Sequence, residues 1–203
     1  MTFYPMSPSN CTGLILAGGH SHRFGEDKAR YEVGGQAMIA RVVDTVAAVA
    51  HPVLVSVGEH SNSFAGLRNV GYVVDHYKDA GPLAGLHAGL HKAQTPWLLA
   101  IACDMPFLAV EVLRTLLAAR TPTADAIVAR TPDGRLHPLC ACYHTRTLSV
   151  VREQMEGGNR ALHALLNGLP QVLFVDLPAT PLRNVNRPAD LHAETRNWEL
   201  ENG

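Results

Sequence analysis

TGLILAGGHSHRFGEDK, residues Thr12 to Lys28, begins as one kind of structure and ends as another. Thr12 to Ala17 is a short apolar run, the pattern of a strand buried on both faces. Two glycines, Gly18 and Gly19, then stop it. A polar loop follows with two cations, Arg23 and Lys28, and two acids, Glu26 and Asp27. Glycines directly after a buried strand let a backbone approach a ligand with no Cβ in the way. The cations suit an anionic ligand: arginine grips phosphate oxygens as a fork and lysine acts as a point charge. The spacing is neither GxxxxGK[ST] nor GxGxxG, so it matches neither a Walker loop nor a dinucleotide fingerprint. A glycine turn with solvated charges is the plain alternative.

Working outward, apolar strands alternate with helices. Strands are expected at Thr12–Ala17, Val53–Val57, Val70–Val74, Trp97–Cys103, Ala124–Arg130, His137–Tyr143 and Val172–Asp176. Helices are expected at Gln36–Ala50, Leu83–Ala93, Leu108–Arg120, Thr145–Gly157, Arg160–Asn167 and Pro188–Trp198. In the first helix Met38, Val42, Val46 and Val49 fall at helical spacing, and Pro82 opens the second. Such alternation implies an α/β fold: one Rossmann-like domain with a mostly parallel sheet and helices on both faces. Residues 1–11 read as a loose lead-in and 12–203 as the domain. In such sheets ligands bind beyond the carboxyl ends of the strands. Gly18–Gly19, Asp75 and Asp104 all fall at such ends.

Composition narrows the function classes. The chain has 203 residues, a net charge of -1 and a pI near 6.8. No bulk attraction to nucleic acid or anionic membrane follows from that balance, so phosphate binding must be local. No apolar stretch is long enough to span a bilayer, and the first residues lack a signal-peptide pattern. The four cysteines contain no CxxC pair, which fits reduced thiols in a cytoplasmic protein. His87 and His91 share a helix face at the spacing of a zinc pair, yet no third ligand accompanies them, so a core-edge or solvated face is expected.

The pattern LAGG-x-S-x-R-x-G-x-D-K stands here as Leu16, Ala17, Gly18, Gly19, Ser21, Arg23, Gly25, Asp27 and Lys28. It resembles the signature of the nucleotidyltransferases that activate sugars and cofactors with nucleoside triphosphates, a GT-A-like fold. DHYKDAGPLAGLHAGL (Asp75 to Leu90), CDMPFL (Cys103 to Leu108) and NVNRPADL (Asn184 to Leu191) bring the resemblance closest to the molybdenum cofactor guanylyltransferases, the MobA family. It extends from about Leu14 to Leu191. Phe24 stands where the family usually has methionine, and Ser56 where it often has an asparagine that helps hold the nucleotide.

The resemblance implies transfer of GMP from GTP to molybdopterin, or its molybdenum-loaded form, with release of pyrophosphate. Mg²⁺ is the implied cofactor, and other proteins of molybdenum cofactor synthesis the implied partners; neither nucleic acid nor membrane is implied. Asp104 ends an apolar strand, where a carboxylate has few uses other than meeting a cation, so it is the expected Mg²⁺ ligand. Arg23 and Lys28 would neutralise the triphosphate and the leaving pyrophosphate. Asp75 can accept N1–H and N2–H of guanine together, although an aspartate after a strand is also a common turn former; the resemblance turns the reading toward base recognition. The backbone of Leu16, Ala17, Gly18 and Gly19, and of Gly81, Pro82 and Leu83, would border base and ribose, with Ser56 beside them. Asn184 and Asn186, on one face of an extended segment, are expected on the pterin side, where Arg135 and His137 also fall.

Three other functions share these features. A cytidylyltransferase for the same pterin usually opens LAAG or TAAG and lacks GPLAG. Guanylyl transfer to a cobinamide phosphate is chemically close, but the NVNRPADL ending favours the molybdenum family. A non-catalytic nucleotide binder on this fold would be expected to lose Asp104 or Lys28.

Overall fold

The computed structural model describes residues 10–17, 28–57, 64, 66–75, 77, 81–186 and 190. Seven strands form the main sheet: β1 (Cys11–Leu16), β4 (Val53–Ser56), β5 (Val70–Val73), β6 (Trp97–Ala102), β7 (Ala126–Arg130), β8 (Leu136–His144) and β9 (Val172–Asp176). Their order is β5-β4-β1-β6-β8-β7-β9. All neighbours are parallel except β8, which runs antiparallel to β6 and β7. The expected mostly parallel sheet is therefore present, with one reversed strand near its middle.

Alternation along each central strand supplies two cores. Cys11, Ile15, Val55, Leu99, Ile101 and Ile127 point to one face. There they meet α1 (Met38–Ala47) and α3 (Val110–Ala118). Leu14, Leu16, Leu54, Leu98, Ala100 and Val128 point to the other. That face carries α2 (Pro82–Lys92), α4 (Leu148–Glu156) and α5 (Leu162–Gly168). Helix α2 is buried from Leu83 to Leu90 on every side, as a helix apolar all round must be. It lies between the sheet and α4. Gly89 makes that approach possible: a Cβ there would stand 2.5 Å from Leu14 Cδ2.

Two features were not expected from the sequence. A hairpin of two-residue strands, β2 (Glu32–Val33) and β3 (Gln36–Ala37), precedes α1. Its turn residues Gly34 and Gly35 have φ of 59° and 77°. Helix α3 starts at Val110, two residues later than expected, because Met105, Pro106, Phe107 and Leu108 are spent on burial ahead of it. The expected helix Pro188–Trp198 falls almost wholly outside the described residues.

Candidate active site

The carboxyl ends of β1, β4, β5 and β6 converge on one edge of the sheet. Beyond β1, Ala17 N–H donates to the Ser56 carbonyl at 3.0 Å, and Cys103 N–H donates to the Leu16 carbonyl at 3.1 Å. The ladder thus continues a step past the strands before the chains part. Asp104 stands at that parting. The expected Gly18, Gly19 and Arg23 lie outside the described residues. So does the side chain of Lys28, whose backbone opens a 3-10 turn, Lys28–Arg30.

Asp104 is held from the far end of the chain. Asn184 Nδ2 donates to its Oδ1 at 2.9 Å, and Val185 N–H donates to its carbonyl at 2.8 Å. Val185 is 1% exposed and packs in a small cluster with Val33, Met38 and Phe107. Arg41 reinforces the same corner, donating from Nη1 to the Val33 carbonyl at 3.2 Å and from Nε to the Pro106 carbonyl at 3.4 Å. Val185 is therefore an anchor that brings Asn184 to the carboxylate. Asp104 does not cap α3, whose N-cap is Ala109. Asn186 is exposed, and its N–H donates to the Asp190 carboxylate at 2.8 Å. The two asparagines expected together thus have different company.

Asp75 and Ser56 are in contact: Ser56 Oγ donates to Asp75 Oδ1 at 2.7 Å. Ser56 is 1% exposed. Its hydroxyl is directed at the aspartate. Facing this pair is the start of α2. Gly81 is its N-cap, with φ 62° and ψ -155°, a conformation open essentially to glycine. Pro82 follows at the first helical turn and Leu83 is fully buried. Among the described residues no side chain caps this helix.

A cleft of about 720 Å³ lies on the other side of Asn184. Pro82, Ala102, Met105 and Asn184 form one wall; Gly134 to Leu139 and Arg160 to His163 form the rest. Arg135 and His137, expected on the pterin side, line this cleft. Arg160 and His163 were missed; a basic residue just after the Gly157–Gly158 turn, at the start of a helix, was the available signal. The wall on β8 owes its shape to a bulge. Pairing with β7 steps from Val128–Ala141 to Ala129–His137, and Tyr143 Oη pins the extra loop by donating to the Pro138 carbonyl at 2.8 Å. Burial first, and the Arg135 charge second, push the His137 imidazole below its ordinary value, with Asp133 opposing.

Among the described residues no group of three or more His, Cys, Asp or Glu could hold a metal by itself. Mg²⁺ does not need one: it is typically held by one or two carboxylates together with substrate phosphates. Asp104, oriented by Asn184, is a hard oxygen donor of that type. His87 is buried and His91 exposed; their rings stack 6.4 Å apart, and His87 meets Tyr77 edge-on.

The MobA-like NTP transferase domain matches residues 13–172. The chain belongs to that family. It is a nucleotidyltransferase. It is 36% identical over 159 residues to the molybdenum cofactor guanylyltransferase of Desulfosudis oleivorans, covering 78% of this chain and 77% of that one. The fold matches the molybdopterin-guanine dinucleotide biosynthesis protein A of Archaeoglobus fulgidus at 21% identity, with a TM-score of 0.77 over 93% of this chain and 98% of that one. A Mycobacterium tuberculosis protein in complex with manganese has the same fold at 18% identity, with a TM-score of 0.64 over 92% of this chain and 98% of that one. No helix among the described residues is long and apolar enough to cross a membrane.

Proposed function

We propose that this chain transfers the guanylyl group of GTP to the terminal phosphate of molybdopterin or its molybdenum-loaded form, giving molybdopterin guanine dinucleotide and pyrophosphate. One observation carries the reading: Asp104, at the carboxyl edge of the sheet, is bonded to Asn184, which lines a basic cleft. On one side lie Leu16, Ala17, Asp75 and the Gly81–Leu83 turn. On the other lies the cleft of Arg135, His137, Arg160 and His163.

The roles follow from charge and reach. Asp75 accepts N1–H and N2–H of guanine. The uncapped start of α2 turns its first N–H groups toward the nucleotide, as helix N-termini do toward anions. Gly18, Gly19, Arg23 and Lys28 cradle and neutralise the triphosphate. Asp104 would hold Mg²⁺, and Asn184 orients its carboxylate for that task. When bound, the ion neutralises charge on the triphosphate and the leaving pyrophosphate. The cleft takes the acceptor, its arginines offering paired donors to the anion and the uncharged His137 a polar wall. Asn186 borders the same side.

In the reaction an acceptor phosphate oxygen forms a bond to the α-phosphorus of GTP. The bond from that phosphorus to the oxygen bridging the β-phosphorus breaks, and pyrophosphate leaves. The nucleophile is already an anion, so no residue need remove a proton and no covalent enzyme intermediate forms. Catalysis is alignment and charge neutralisation. The buried free thiols Cys11, Cys140 and Cys142 support a reducing compartment, and we place the reaction in the cytoplasm alongside other proteins of molybdenum cofactor synthesis.

The test is pyrophosphate release with Mg²⁺, molybdopterin and GTP, CTP or ATP in turn. Release with GTP alone, with the preference erased in Asp75→Asn, is expected. Selective release with CTP would overturn the reading and the role of Asp75.

A further inference from the structure

The second glycine of GPLAG, Gly85, lies in the first turns of α2 directly over Ser56. A Cβ built on it would stand 2.7 Å from Ser56 Oγ, 2.9 Å from Leu16 Cδ2 and 3.2 Å from Ser56 Cβ. The helix therefore closes over the hydroxyl with no room to spare. The Ser56 backbone is fixed from the opposite side, its carbonyl accepting from Ala17 N–H at 3.0 Å. Boxed in this way, the hydroxyl donates to Asp75 Oδ1 at 2.7 Å.

We infer that Gly85 and Ser56 form a positioning relay that sets the plane of the Asp75 carboxylate and thereby the discrimination between guanine and hypoxanthine nucleotides. The inference rests on the reading of Asp75 as the base acceptor. A carboxylate turns broadly about its last bond, so an untethered one presents its two oxygens in many planes. Guanine offers two donors side by side, N1–H and the 2-amino N–H, and needs both oxygens in its own plane. Hypoxanthine offers only N1–H, so a single oxygen in almost any plane serves it. Tethering Oδ1 therefore strengthens guanine binding more than hypoxanthine binding. The donor end of the bond is buried, Ser56 being 1% exposed and Asp75 half-buried, so it is electrostatically stronger than a bond at an open surface. Ser56 acts on the base through Asp75, without itself touching the ligand.

The experiment is calorimetric titration of GTP and of ITP, with Mg²⁺ and without acceptor, into the wild-type protein, Ser56→Ala, Gly85→Ala, the double variant and Asp75→Asn. Circular dichroism and thermal unfolding verify that each is folded. Ser56→Ala is expected to weaken GTP about tenfold, the scale of one hydrogen bond to a charged group, and ITP by less than about threefold. Gly85→Ala, which displaces the hydroxyl, is expected to reduce the GTP-to-ITP preference to a similar degree. The double variant is expected to lose no more preference than either single one, because the two changes break the same contact. A Ser56→Ala protein that keeps the wild-type preference while Asp75→Asn loses it would overturn the relay and leave the Asp75 reading standing. Preference unaltered in Asp75→Asn would overturn both.

Discussion

Asn184 donates to Asp104 at 2.9 Å across a sequence separation of 80 residues, so the segment carrying Asn184 and Val185 orients the carboxylate that ends β6. Val185 makes this contact possible. Its buried side chain and its N–H bond to the Asp104 carbonyl hold the segment in register with the Cys103–Leu108 turn.

Asp104→Ala is expected to lower turnover by about a thousandfold, the upper range for losing one preorganised charge-stabilising group. Asn184→Ala keeps the carboxylate but removes this one donor to it. It is expected to raise the Mg²⁺ concentration for half-maximal rate by about 10- to 100-fold, as removal of an orienting partner does. Rates over a Mg²⁺ series at fixed GTP distinguish the two. An Asn184→Ala protein with an unchanged Mg²⁺ requirement would show that the bond is incidental.

Stability is expected to fall with acid through His137 and His144. Burial is the largest cause of the downward shift in each, with the Arg135 charge adding to it at His137 and the Arg146 charge at His144. A folded-state value below the ordinary 6.5 means that the unfolded chain takes up the proton first. The contribution is thus complete above about pH 6.5 and is lost as the pH drops below it. Urea midpoints measured from pH 7.5 to 5 should decline, and the decline should be shallower in His137→Asn. An identical slope would remove His137 from this account.

The cysteines should react unequally. Burial pushes the Cys11 thiol up to about 11 and Cys140 up to about 12, and holds Cys142 well above its usual range. Cys103 is only half-buried. Iodoacetamide at pH 8 should therefore label Cys103 first in the folded protein, and all four thiols once urea is added. Peptide mass mapping reads the order, and early labelling of Cys140 or Cys142 would contradict the buried sheet core.

Gly89→Ala should be costly although alanine favours helices. The new methyl would meet fully buried Leu14 at 2.5 Å. Forcing a methyl into a packed interior costs about 1–3 kcal/mol, more than the roughly 1 kcal/mol of helix propensity gained. The urea midpoint of this variant should drop; a rise would mean that α2 can move away from β1.

Much of this arrangement is legible in the sequence because its signals are local. The run Thr12–Ala17 stops at two glycines, and WLLAIA stops at CDMP; both read as buried strands with polar business at their ends. The direction of β8 is not legible, since HPLCACY looks the same whichever way it enters the sheet. Nor is the β2–β3 hairpin, whose two-residue strands are too short to show a period. The contacts that shape the site, Asn184 to Asp104, Ser56 to Asp75 and Gly85 over Ser56, join residues far apart in the chain. Spacing carries no information about them. Ser56 is an example: its position suggested a place beside the nucleotide, and its bond to Asp75 is visible only in the fold.

The central claim is that GMP passes from GTP to an acceptor phosphate at Asp104. It is tested most directly by incubating the protein with Mg²⁺, molybdopterin and GTP labelled at either the α- or the γ-phosphorus, then separating the products. The account predicts α-label in a molybdopterin dinucleotide and γ-label in pyrophosphate, both formed about a thousandfold more slowly with Asp104→Ala. Label from the γ-position released as orthophosphate, with the α-label left in GDP, would contradict it, because the bond broken would then be the wrong one.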